Sequence, residues 1–165
     1  MVRWACVMAA VVLALASGAS ATRPTDIVAV DEFIDAPRAL FGRTRAAVER
    51  ALGPPSAVRA RLLAAGPTSA AEAVDELVYS GLTVVVSQRS SAMRRVAITE
   101  PRWSLPRGLN VGTERAQVEA VLGEPQLVSD DSALYLDADG FPNTVEFHFR
   151  DDRVRRIEWS YAPED

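Results

Sequence analysis

Apolar residues recur at three- and four-residue intervals in two short stretches of the chain, and at two-residue intervals after each of them. In one stretch Val118, Val121 and Leu122 form a stripe, and in the other Val48, Ala51 and Leu52 do so. That spacing puts each set on one face of a helix. Thr44 and Thr113 precede the stripes as helix openers, because a threonine hydroxyl accepts an orphan backbone N–H. Gly53 and Gly123 directly follow the last apolar residue, and Pro55 and Pro125 stand two positions further on. Glycine closes a helix in a conformation other residues avoid, and proline forbids continuation. Each stretch therefore reads as a short helix with its own stop signal.

After each helix the period drops to two. Val145, Phe147 and Phe149 alternate with Glu146, His148 and Arg150, which predicts a half-buried strand. Asp151-Asp152 turns the chain, and Ile157, Trp159 and Tyr161 share one face of the returning strand. Residues 133–136 predict a strand before this hairpin, joined to it by the turn-rich segment 137–143. In the first half, 76–79, 82–86 and 94–98 occupy the same order. Residues 27–30 form an apolar run that predicts an edge strand, and 64–73 read as a flexible insertion.

The two halves share more than a pattern. Residues 42–55 return without a gap as 112–125, seventy positions later, with eight of the fourteen residues identical. A match of this length marks a duplicated structural unit. The predicted fold class is α+β: two tandem repeats, each a short helix plus a three-stranded antiparallel meander, with the helices packed on one sheet face. The expected divisions are 1–21 as a signal peptide, 22–37 as a lead-in, 38–99 as the first repeat, 100–107 as a linker around Trp103, and 108–162 as the second repeat.

The signal peptide rests on Arg3, the apolar run 5–16 and the Ala19-Ser20-Ala21 ending, with cleavage expected after Ala21. The run is shorter than the ~20 residues a spanning helix needs. Cys6 precedes the run, so it does not form a lipobox, and the mature chain has no cysteine to make disulfides. A periplasmic or secreted location follows, with no transmembrane segment after cleavage. All 18 basic residues are arginine, and the net charge is −4. An acidic chain of this kind is not expected to bind nucleic acid, whose recognition needs a basic footprint.

The segment 108–125, Gly108-Leu109-Asn110-Val111-Gly112-Thr113 through Leu122-Gly123-Glu124-Pro125, resembles the opening of the SmpA/OmlA (BamE) domain family: a glycine, a threonine-led helix, then "QV…LG.P". The closing run Asp152–Ile157 (Asp152-Arg153-Val154-Arg155-Arg156-Ile157) is also similar to that family's end. Two such units in tandem resemble the layout of the β-lactamase-inhibitor-protein (BLIP) fold. The resemblance implies an exported, non-enzymatic protein-binding module of the bacterial cell envelope, with an envelope protein as partner, peripheral contact with the outer membrane, and a role near outer-membrane assembly. The alternative is an envelope protein that sequesters a lipid or small apolar ligand between helices and sheet.

Candidate chemistry is sparse. His148 is the single histidine, and one histidine without cysteine does not supply the usual zinc ligand set. It has no nucleophile elbow to serve. Asp137-Ala138-Asp139-Gly140 opens like a calcium loop, but the twelfth position from Asp137 is His148 where that loop needs glutamate. It reads as a polar turn. No catalytic residue, metal or cofactor is therefore expected. The candidate protein-binding residues are the strand aromatics Tyr135, Trp159 and Tyr161 with Arg155, since aromatic and arginine side chains anchor interfaces when exposed. Arg94, Arg95, Arg150, Arg153, Arg155 and Arg156 lie on or beside hairpin strands, and they are expected to pair with Glu146, Asp151, Asp152 and Glu158 on half-exposed faces, the alternative being a band that meets an acidic partner or anionic lipid.

Overall fold

A computed structural model describes residues 23–64, 71–138 and 143–163. The predicted signal peptide, most of the 64–73 insertion and Asp139-Gly140 lie outside the described residues. The chain runs α1 (Ile27–Phe41), α2 (Arg45–Leu52), β1 (Ala57–Leu63), β2 (Glu72–Tyr79), β3 (Leu82–Ser87), β4 (Met93–Ile98), a 3-10 turn at Pro106–Gly108, α3 (Arg115–Leu122), β5 (Leu127–Val128), β6 (Ser132–Leu136), β7 (Thr144–Arg150) and β8 (Arg153–Ser160).

Among the described residues, eight strands make one antiparallel sheet in the order β1-β2-β3-β4-β8-β7-β6-β5. Two four-stranded meanders thus meet through their last strands, with Val96 opposite Trp159 and Ala97 opposite Glu158. This corrects the expected fold class. The chain is not two tandem units of one helix and three strands. It is one continuous sheet with four strands from each half, and with a helix outside the repeat. β1 and β5, the sheet's edges, escaped the period-two reading. β5 is only two residues long, and β1, although Val58, Ala60 and Leu62 alternate with Arg59 and Arg61, keeps all its residues half-buried or exposed.

The duplicated motif has matching attachments in both halves. The helices start where Arg45 N–H donates to Ser91 C=O (3.0 Å) and Arg115 N–H donates to Asp152 C=O (2.8 Å). They end where the Tyr79 hydroxyl donates to Gly53 C=O (3.2 Å) and the Tyr135 hydroxyl donates to Gly123 C=O (3.1 Å). Thr44 caps α2 as expected, accepting from Ala47 N–H. Thr113 does not cap α3: its hydroxyl accepts from Asn110 N–H at 2.9 Å, and Glu114 is the capping residue without a side-chain bond.

Residues 27–30 are helix, not the expected edge strand. Asp26 caps α1 through its carboxylate, which accepts from Ala29 N–H (3.1 Å). Ala29, Val30, Phe33, Ile34 and Phe41 then make one buried stripe. That stripe outweighs the β preference of Ile27, Val28 and Val30 because it continues for four turns. Pro37 lies inside α1. Proline has no N–H to give the carbonyl four residues back, so Phe33 C=O loses its helical donor. The sheet supplies one: the Trp159 indole N–H donates to Phe33 C=O at 2.9 Å, and the Tyr161 hydroxyl donates to Ile34 C=O at 2.9 Å. Phe33 also stacks between Phe147 and Trp159, with ring centroids 5.3 and 5.6 Å away.

The core therefore lies between α1, α2 and α3 and one face of the sheet. Its sheet side is Leu77, Val84, Val96, Trp159, Val145 and Tyr135, each 0% exposed. Each large apolar side chain buried in this way stabilises the fold by about 1.5–3 kcal/mol. Trp103 caps one end, edge-on to Phe41 at 5.2 Å.

Candidate functional site

The alternation that buries one face of the sheet exposes the other. No described helix crosses that second face, and it carries polar and charged positions over six strands: Glu72 and Glu76 on β2, Thr83 on β3, Arg95 on β4, Glu158 on β8, Glu146 and His148 on β7 and Ser132 on β6. Register fixes the neighbours. Arg59, Glu76, Val85, Arg95 and Ser160 lie in one cross-strand row, and Ala97 adjoins Glu158 in the next.

Between β1 and β8 this face dips into a shallow depression of about 340 Å³. Val74, Thr83, Val85 and Ala97 form its floor, and Arg61, Arg95 and Arg156 rise around it. Val74 is 0% exposed although no described helix covers it. Long arginine stems cover apolar surface while keeping their charged heads wet, and Arg61 stands directly across from Val74.

The charges are arranged in depth. Arg61 Nε lies 2.6 Å from Glu76 Oε2, and Arg95 Nε lies 3.1 Å from Glu158 Oε1. Arg156 donates to the other oxygen of Glu158. At the rim of the network Arg94 Nε donates to Glu72 at 2.8 Å. The carboxylates are recessed and the guanidinium groups stand above them: Glu76 and Glu158 side chains are 15% and 16% exposed, against 58%, 44% and 41% for Arg61, Arg95 and Arg156. Arg94 is the exception, with a side chain only 9% exposed. Nη1 of Arg94 and Nε of Arg156 are buried without a hydrogen-bond partner among the described residues.

The predicted anchors are elsewhere. Tyr135 and Trp159 are 0% exposed and Tyr161 4%. All three point to the helix side and spend their polar atoms on backbone carbonyls, so none reaches a partner. Trp159 shares strand parity with Ile157, and that parity assigns it to the core. Burial raises the phenol pKa of Tyr135 and of Tyr161 above the ordinary value, desolvation being the main cause. Tyr161 also lies under the Arg38 guanidinium, 4.0 Å from its ring centroid. Arg155 is exposed on β8, where the register with β7 shifts and leaves it unpaired in the ladder, and it does not line the depression. Arg156, its neighbour, is the residue that lines it.

His148 is half-buried on the open face, with Nε2 3.6 Å from Glu146 Oε2. Ser132, across from it on β6, places its hydroxyl 3.0 Å from the Ser129 hydroxyl. Asp137 accepts from the Asn143 amide at 2.9 Å, as a turn residue does. Among the described residues, no group of three histidine, cysteine, aspartate or glutamate side chains is placed to hold a metal ion. No helix among them is long and apolar enough to cross a membrane.

No family model and no curated protein matches this chain. Among solved structures it is similar to an extracellular protein containing an SCP domain from Bacillus anthracis str. Ames, at 10% identity and a TM-score of 0.48. That match covers 74% of this chain and 44% of the other. Likeness at that level fixes neither ancestry nor activity. The resemblance to the SmpA/OmlA (BamE) and BLIP-type domains is withdrawn, since no family model and no curated protein of those families matches the chain. The residues that carried it, Val118, Leu122, Gly123 and Pro125, are accounted for by the helix and its stop, which any short helix can share.

Proposed function

We propose that this chain is a non-catalytic binding protein of the bacterial cell envelope, exported by its N-terminal segment, that holds a protein partner on the open face of its sheet. The observation that carries the reading is the uncovered face itself. It is broad, built on rigid strands, and presents guanidinium groups around a shallow depression. Clefts that process small molecules are usually deeper and more apolar. Arginine-rich surfaces of this shape suit protein contacts. The sequestering alternative needs free space between helices and sheet, and Phe33, Phe147, Trp159 and Tyr135 fill that layer with ring contacts.

The test is capture from a native envelope extract by the mature chain, residues 22–165, beside two variants. Thr83→Trp fills the depression from its floor. Leu40→Arg alters the helix side, where Leu40 is 42% exposed. The reading expects a protein enriched by the parent and by Leu40→Arg but lost with Thr83→Trp. Capture that survives Thr83→Trp, or a lipid that co-purifies in place of a protein, would contradict it.

A further inference from the structure

We propose that the depression on the open face is a carboxylate-binding site, and that it engages an acidic segment of the partner protein through Arg61, Arg95 and Arg156. The inference rests on the reading above and names the chemistry of its partner. Three observations carry it.

The first is the order of charges in depth. The recessed Glu76 and Glu158 hold the arginine stems upright and leave the guanidinium groups as the outermost chemistry. An approaching partner meets cations, although the protein as a whole is acidic at −4. The second is stoichiometry on the face. Five guanidiniums (Arg59, Arg61, Arg94, Arg95, Arg156) stand with four carboxylates (Glu72, Glu76, Glu146, Glu158), and Arg95 and Arg156 both use Glu158. The third is unused hydrogen-bonding capacity. Among the described residues Nε of Arg156, which lines the depression, is buried without a hydrogen-bond partner, as is the acceptor Oε2 of Glu76 despite its ion pair with Arg61, and a buried polar atom without a partner is costly.

The single excess charge selects the ligand. One carboxylate neutralises it and fits the planar fork of a guanidinium. A phosphate dianion brings a second charge against the recessed carboxylates of Glu76 and Glu158. A phospholipid headgroup is a phosphodiester with one charge, and it is disfavoured for a different reason: an anionic membrane surface faces the whole chain, at −4, whereas an acidic segment of a protein reaches the depression alone. Electrostatic matching of this kind governs partner choice and association rate.

The test is an NMR titration at low ionic strength, where such contacts are least screened. It follows the side-chain Nε–H signals of Arg61, Arg95 and Arg156. The probes are a hexaglutamate peptide, a hexaglutamine peptide, inorganic phosphate and vesicles of anionic phospholipid. The proposal expects saturable shifts with hexaglutamate and none with hexaglutamine, and weaker binding of phosphate and vesicles. Arg95→Gln with Arg156→Gln should weaken hexaglutamate binding by about tenfold. Glu158→Gln should tighten it, because removing the shared counter-ion raises the excess charge. A merely damaged fold would not bind more tightly, so this second variant separates recognition from stability. Non-saturable shifts, equal response to hexaglutamine, tighter binding of phosphate or vesicles, or no gain from Glu158→Gln would each overturn the proposal. Loss of envelope capture with Thr83→Trp but not with the arginine variants would sink the carboxylate inference and leave the docking face intact. Capture indifferent to Thr83→Trp would remove the docking face itself.

Discussion

Replacing Trp159 with phenylalanine probes how the proline-containing helix α1 is held on the sheet. The indole N–H donates to Phe33 C=O at 2.9 Å, in the place of the N–H that Pro37 lacks. Removing the donor leaves a buried carbonyl unpaired, at a cost of about 1–3 kcal/mol. The smaller ring also leaves space beside Phe33, whose centroid is 5.6 Å away. Together the loss should be about 2–4 kcal/mol, a large share of the ~5–15 kcal/mol by which such domains are stable. Pro37→Ala returns an N–H to position 37, within the helix, where it can serve the same carbonyl. Trp159→Phe should therefore cost about 1–2 kcal/mol less in the Pro37→Ala background than in the parent. Urea unfolding followed by far-ultraviolet circular dichroism gives all four stabilities of this double-mutant cycle. If the two substitutions add within about 0.5 kcal/mol, the indole is not compensating for the proline and the argument fails.

Three further outcomes are expected. Gly53 and Gly123 have φ of +79° and +78°, but a Cβ on Gly53 meets nothing within 4 Å while one on Gly123 comes 2.2 Å from Pro24 O; in thermal unfolding Gly53→Ala should cost about 1–3 kcal/mol from backbone strain alone and Gly123→Ala at least ~2 kcal/mol more. Glu72→Gln leaves the Arg94 guanidinium buried without its counter-ion and should lower stability by about 2–3 kcal/mol, whereas Glu32→Gln, which frees the exposed Arg107, should cost less than ~0.5 kcal/mol. The phenols of Tyr79, Tyr135 and Tyr161 all have raised pKa values, with burial the leading cause. A phenol pKa raised by folding favours the protonated native form, so its contribution is complete below the unfolded value near pH ~10 and is lost as pH climbs above it. Phenolate absorbance at alkaline pH should thus rise together with the loss of circular dichroism; a phenolate rise near pH ~10 in a still-folded protein would show that these rings are accessible.

Much of the fold is legible in local chemistry. The helices α2 and α3 announce themselves through a stripe ended by glycine and proline, and β7 through Val145, Phe147 and Phe149. The α1 stripe was equally present, with Phe33, Ile34, Pro37 and Phe41 at helical spacing, but the β-branched start at Ile27 and Val28 and the internal proline obscure it. The edge strand β1 was not among the expected strands, although it carries a period-two signal: Val58, Ala60 and Leu62 alternate with Arg59 and Arg61, yet Val58 and Leu62 remain 46% and 70% exposed. The site was less legible than the fold. Strand parity separates Trp159 from the surface, but the place of Arg155 depends on a register shift between β7 and β8, and the pairing of Arg95 with Glu158, sixty-three positions away, depends on β4 meeting β8. Nothing local to either strand encodes that junction.

The open face can be examined directly by labelling arginines with phenylglyoxal, read residue by residue by mass spectrometry, before and after the chain is mixed with native envelope extract. Arg61, Arg95 and Arg156 should lose reactivity on mixing, while Arg43 and Arg50, exposed on the helix side, keep theirs. Protection at Arg43 and Arg50, or none at the three arginines of the depression, would contradict the assignment of the uncovered sheet face as the surface this protein uses.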